Sequence, residues 1–137
     1  MTMARSTEQA LHEEQLIKAF FLPDRRRRYL EFIGNPKRRG DLLRMLAHFP
    51  HLDPRYTKSL PTSQQSAAAI ESLLRGKGAP DLCWVISEDD DLDGKHIEIG
   101  AVLKEILGRG IGTLISCLPG RLGYFEDEDG RFILERS

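Results

Sequence analysis

Three groups of residues in this 137-residue chain have types and spacings suited to chemistry. In the stretch SEDDDLDGKHIEIG (87–100), Asp89, Asp91 and Asp93 alternate ahead of Gly94, as oxygen ligands alternate on a calcium-binding turn. Cys117, in LISCL, and His96, in the acidic loop, would serve as thiolate and base of a nucleophilic site. A metal-assisted hydrolase using Asp89, Asp91, Asp93 or His96 is a related reading. The third group is basic: PDRRRRYLEF (23–32) and NPKRRGDLLRM (35–45) each set arginines at the predicted start of a helix.

The acidic loop does not complete an EF-hand. Counted from Asp89, the twelfth position, which should carry a bidentate glutamate, is Gly100, and Glu98 falls two residues early. The loop also follows a predicted strand, whereas an EF-hand loop follows a helix, and His96 stands where an apolar residue is usual. A solvated turn accounts for the same residues. Asp93-Gly94 is a strong turn dipeptide, and carboxylates ahead of a helix favour its positive end by about 0.3–1 kcal/mol each. No metal and no cofactor is assigned. The segment SCLPG matches no nucleophile elbow, and cysteines in strands serve mostly in packing, so no catalytic residue is assigned either. An enzyme with its site at the acidic loop and Cys117 is the third-ranked reading.

The basic runs break a local rule, because a helix start disfavours cations. Arginines and free backbone N–H groups together make an anion site, which would let Arg25, Arg27, Arg28, Lys37, Arg38 and Arg39 contact a phosphate backbone. Consecutive helical residues lie about 100° apart, so the run from Arg25 to Arg28 cannot form one patch. Arg26, above Leu30 and Ile33, is expected to turn inward to a carboxylate. No helix-turn-helix, RNA-recognition or KH signature accompanies the runs, and the isoelectric point is 6.4.

Hydrophobic periodicity supplies the elements that must position these groups. Ser6 with Gln9 predicts a capped first helix, with Ile17, Phe20 and Phe21 as its apolar stripe, ending at Pro23. A second helix runs from Pro23 or Asp24 to Gly34. A third, starting at Asn35-Pro36 or Asp41, presents Leu42, Met45, Leu46 and Phe49. A fourth opens at Thr62 with Gln65 and closes at Gly76. The second half changes period: LCWVIS and GTLISCL read as strands on either side of a helix carrying Ile99, Val102, Leu103 and Ile106. Pro119-Gly120 turns into RLGYFE, and Asp129-Gly130 into RFILER. The expectation is one α+β domain over 1–137, mostly helical over 1–77 and sheet-forming over 78–137. Its helices pack on a small mixed four-stranded sheet, a strand–helix–strand unit followed by an antiparallel meander. A parallel unit would bring Glu88 to His96 close to Ser116 and Cys117.

With 40% hydrophobic and 30% charged residues the composition excludes disorder, and no apolar run approaches the roughly 20 residues of a membrane span. The N-terminal stretch has no signal-peptide pattern, and two cysteines in apolar runs fit buried, reduced thiols, so a cytoplasmic location is expected. A net charge of −1 conceals an asymmetry: residues 22–58 hold ten basic against four acidic residues, and residues 78–137 hold six against thirteen. The leading expectation is therefore a non-enzymatic interaction module that pairs with a second copy, or with a charged protein, through complementary poles. Phe20, Phe21, Tyr56 and Tyr124 are candidates for its apolar centre. Nucleic-acid binding through the basic helix starts is the alternative.

Overall fold

The computed structural model describes residues 5–61, 63 and 65–137. Its helices are α1 (Thr7–Phe20), α2 (Arg26–Gly34), α3 (Arg39–Met45), α4 (Ala67–Gly76) and α5 (Ile99–Ile106). The strands are β1 (Thr57–Ser59), β2 (Leu82–Ser87), β3 (His96–Glu98), β4 (Thr113–Leu118), β5 (Leu122–Asp127) and β6 (Gly130–Glu135). They form one sheet in the order β1-β6-β5-β4-β2-β3, with every neighbouring pair antiparallel.

Strand alternation sorts the core into two layers. Ile86, Leu114, Phe125 and Leu134 project from one face onto Leu16, Ile17, Phe20, Tyr29, Ile33 and Leu42 of α1 to α3. Cys83, Val85, Ile115, Cys117, Tyr124 and Ile133 project from the other onto Ile70 and Leu74 of α4 and Val102, Leu103 and Ile106 of α5. The central strands β2 and β4 thus read as nearly continuous apolar runs because both faces are covered. On the first face, Phe21, Tyr29 and Phe49 pack as tilted and edge-on rings with centroids 4.7–5.3 Å apart, a geometry that adds to their area burial.

The mixed four-stranded sheet expected from the sequence is corrected to six antiparallel strands. After β2 the acidic loop reverses the chain, and β3 returns along β2 with His96 beside Trp84 and Glu98 beside Leu82. The helix α5 therefore starts at the entry end of β2 and delivers the chain to its exit end, where Thr113 pairs with Ser87. The next strand can only run back. Two short strands were hidden, β1 within the proline-rich connection and β3 within the turn. The meander stands: Gly120, with φ +71°, takes the turn position that needs a left-handed residue, and Arg121 N–H bonds the Leu118 carbonyl at 3.0 Å.

Helix starts follow capping chemistry. Ser6 caps α1 by accepting from the Gln9 N–H at 3.0 Å, and Ser66 caps α4 from the Ala69 N–H at 3.1 Å. The expected start at Thr62 lies outside the described residues. A 3-10 turn over Pro23–Arg25 precedes α2, and α3 begins at Arg39 rather than at Asn35 or Asp41. Gly112 lies so close to the backbone of Leu46 that a side chain there would overlap it.

Candidate functional site

Backbone and cations occupy most of the acidic loop's carboxylates. Asp93 accepts from the Ser87 N–H at 3.0 Å, Asp89 from the Asp91 N–H at 2.9 Å, and Glu88 from the Gly112 N–H. Asp89 also pairs with Arg109 at 3.0 Å. These are the self-bonded carboxylates of a turn, with Gly94 at φ +74°. The antiparallel sheet also moves the loop: Glu88 to Asp93 lie by Thr113, at the far end of β4 from Cys117.

His96 and Cys117 project from opposite faces of the sheet. The ring of His96 stacks on Trp84 at 4.4 Å and 5°, on the α1 side. Cys117 is 1% exposed in the α5-side core beside Cys83, and this contact with burial pushes its thiol up, away from the reactive thiolate. The structure assembles instead a pair the sequence did not suggest. His12 Nδ1 and Ser116 Oγ lie 2.7 Å apart, where α1 crosses the sheet. Burial lowers the His12 pKa, and Ser116 is only 2% exposed, so the hydroxyl is not presented to a substrate.

Among the described residues, His48, Glu128 and Asp129 place three ligand atoms within 4.8 Å of one another. Both ring nitrogens face carboxylates, Nε2 toward Glu128 at 2.5 Å and Nδ1 toward Asp129 at 2.8 Å. A hydrogen bond from Nδ1 to Asp129 and a charge contact from Nε2 to Glu128 suit an imidazolium, not a ligand offering a lone pair.

The two arginine runs divide. Arg39 turns inward, donating to both oxygens of Glu13 at 3.0 and 2.7 Å and to Asp93 at 2.8 and 3.0 Å. Arg26 also turns inward: its Nε donates to the Phe21 carbonyl at 3.0 Å, and Nη2 lies 3.9 Å from Asp53. Arg38 pairs with Asp41 at 2.6 Å and, with Arg28, covers the ring of Phe32 at 4.6 and 5.3 Å. Arg25, Arg27, Arg28 and Lys37 are exposed and make no ion pair among the described residues.

A second concentration of positive charge was invisible in the sequence. At one end of the sheet a cleft of about 670 Å³ is lined by Arg55, Lys58, Lys77, Arg121 and Arg136, with Glu135 as the one carboxylate side chain. They come from four separate stretches: the β1 connection, the end of α4, the β4–β5 turn and the chain after β6. Sheet register brings them together. Leu122 pairs with Glu135, and the Arg136 N–H donates to the Arg121 carbonyl at 2.9 Å. Lys77 and Lys58 share one oxygen of Glu135 at 2.9 and 3.6 Å, and the Lys77 hydrogen bond holds that carboxyl below its ordinary range. The guanidinium of Arg136 lies 4.4 Å above the Tyr56 ring and donates to the Ala19 carbonyl. Arg55 pairs with Asp53, the residue that Arg26 also approaches, so the cleft adjoins the root of α2. Arg121 is exposed and makes no ion pair among the described residues.

Comparison with protein-family models, with characterised proteins and with solved structures finds no match to this chain.

Proposed function

We propose that this protein is a non-enzymatic binding module whose partner is a phosphate-bearing anion held in the cleft at the end of the sheet. The observation that carries this reading is five cationic side chains lining one concave site, set against two carboxylates among the described residues, Glu135 within it and Asp53 behind Arg55. Like charges gathered in a cleft raise its potential and attract an oppositely charged ligand. Arginine forks and lysine ammonium groups are the donors phosphate oxygens accept best. Glu135, ionised and paired with lysines, is a partner to the cations rather than a proton-transfer group. The cleft is lined by none of the α2 arginines, which gives the nucleic-acid alternative a narrower form: anion binding centred on the cleft, not on the helix starts.

The test is thermal denaturation with sodium tripolyphosphate at low salt. At a ligand concentration about a hundred times the dissociation constant, linkage adds about 2.7 kcal/mol, which raises the midpoint by several degrees. Arg121→Glu should abolish that rise, while Arg27→Glu should retain most of it. An unchanged midpoint for the unmodified protein, or an equal rise in Arg121→Glu, would defeat the reading.

Self-association is a second reading, favoured by one observation. Among the described residues, Leu11 and Leu82 are the large apolar side chains left about half exposed, at 50% and 47%, and Leu82 shares a strand face with the Trp84–His96 stack. Of the apolar candidates named from the sequence, Phe20, Phe21 and Tyr124 are core residues at 0–1% exposure, and Tyr56 lies under Arg136. Part of the charge asymmetry is neutralised within the chain, through Arg39–Asp93 and Lys58–Glu135. A dimer formed through the leucines would persist at high salt, whereas one formed by charged poles would loosen. Sedimentation of Leu82→Glu beside the unmodified chain decides it, and a monomer in both cases removes this reading.

A further inference from the structure

We infer that the cleft is built for two phosphate groups at once, so that its ligand is a compact molecule carrying a polyphosphate chain or two phosphates on a short spacer. This deepens the anion-binding reading above and rests on it. The cations form two sets of different character. Lys58 and Lys77 converge on a single oxygen of Glu135, an arrangement that leaves each ammonium group with further N–H donors to offer. Arg121 and Arg136 form the second set, joined through the backbone bond between them. Arg136 is fixed in advance by the ring of Tyr56 and by the Ala19 carbonyl, so its fork loses little freedom on binding.

The two sets lie on opposite sides of the sheet's end. Consecutive strand residues point to opposite faces, so Glu135 with its lysines faces the α4 side, while Arg136 faces the α1 side over Tyr56. One tetrahedral phosphate placed on the arginines leaves the lysines unengaged. A chain of phosphates that bends around the sheet end meets both sets, and its charge of several units is opposite to the excess left by five cations over the carboxylates of Glu135 and Asp53. Tyr56 is the one aromatic side chain lining the cleft, and guanidinium groups lie over it at 4.4 and 5.2 Å. It is therefore not an open stacking platform, so the cleft lacks the second half of a single-strand nucleic-acid site.

Isothermal titration of the full chain at constant ionic strength tests this with orthophosphate, pyrophosphate, tripolyphosphate and a single-stranded oligonucleotide. Tripolyphosphate should bind at least about tenfold more tightly than orthophosphate, the gain from one further set of charge-assisted hydrogen bonds. Lys58→Gln and Lys77→Gln should each remove most of that advantage while changing orthophosphate affinity by less than about twofold, and Arg121→Gln should weaken both ligands. Both lysines are exposed, so either variant keeps the test open if the other fails to fold. Equal affinity for orthophosphate and tripolyphosphate would overturn the two-phosphate inference and leave the anion-binding reading standing. Absence of binding by every phosphate compound would remove both. An oligonucleotide binding more tightly than tripolyphosphate would overturn the inference in favour of nucleic acid.

Discussion

Arg39 meets Glu13 in a two-point pair, Nη1 to Oε1 at 3.0 Å and Nη2 to Oε2 at 2.7 Å, and the same guanidinium holds Asp93. One side chain of α3 thus fastens the first helix to the loop that leaves β2. Glu13 is 1% exposed, so removing the arginine leaves a buried carboxylate with Arg5 as its one remaining cationic partner among the described residues. Arg39→Met is expected to cost about 3 kcal/mol or more in urea denaturation, against about 0.5 kcal/mol for the exposed Arg38→Met. Similar losses for the two variants would contradict the role given to Arg39.

Ser116→Ala removes the partner of a buried imidazole. A buried polar atom left without its hydrogen bond costs about 1–3 kcal/mol, and that is the expected loss of stability. His12→Phe in the same background should recover part of it, because both polar groups are then gone. A Ser116→Ala protein as stable as the parent would show that the 2.7 Å contact contributes nothing net.

The two histidine environments give opposite pH dependences. The hydrogen bond to Asp129 raises the His48 pKa above its ordinary 6.5. Its contribution is complete below 6.5 and is lost as pH rises through the folded value. Burial lowers the His12 pKa, so its contribution is complete above 6.5 and declines as pH falls below it. Histidine proton NMR should give a midpoint above 6.5 for His48 and below it for His12, and Asp129→Asn should bring His48 back toward 6.5. Coincident midpoints would refute both assignments.

Gly112→Ala is expected to destabilise by about 1–3 kcal/mol, because the added methyl meets the backbone of Leu46 and not a side chain that can turn aside. Thermal unfolding beside Gly108→Ala isolates the steric part: Gly108 has open space around its would-be side chain, and its own cost comes from φ +79°. A Gly112→Ala midpoint equal to the parent's would show that this approach is relaxed in solution.

The sequence displayed the elements that repeat a period and concealed those set by partners. LCWVIS, GTLISCL, RLGYFE and RFILER are strands within a residue of their expected bounds, since long apolar runs bounded by glycine and proline have few alternatives. The strands β1 and β3, three residues each, carry no period of their own and exist because β6 and β2 offer them edges. The inferred parallel unit failed on the same point: β3 reverses the chain before α5 begins. Among functional residues, the runs from Arg25 to Arg28 and from Lys37 to Arg39 stood out because each is contiguous. Arg121 and Arg136 did not, since only the pairing of β5 with β6 makes them neighbours.

That the sheet ends in two three-residue strands has a consequence for the protein's behaviour at high concentration. The four inner strands are six residues long; LCWVIS and TLISCL are mostly apolar and GRFILE carries Phe132, Ile133 and Leu134 in succession, the kind of segment from which fibrils grow. Each is flanked on both sides, so none offers a free row of backbone donors. What faces outward is Thr57–Ser59 with Lys58 at its centre and His96–Glu98 with a charge at its end, each too short and too polar to template an incoming chain. Resistance to fibrillation in this fold should accordingly depend on the shortest pieces of its sheet, since losing β3 would uncover the apolar edge of β2 and losing β1 that of Phe132–Leu134 in β6.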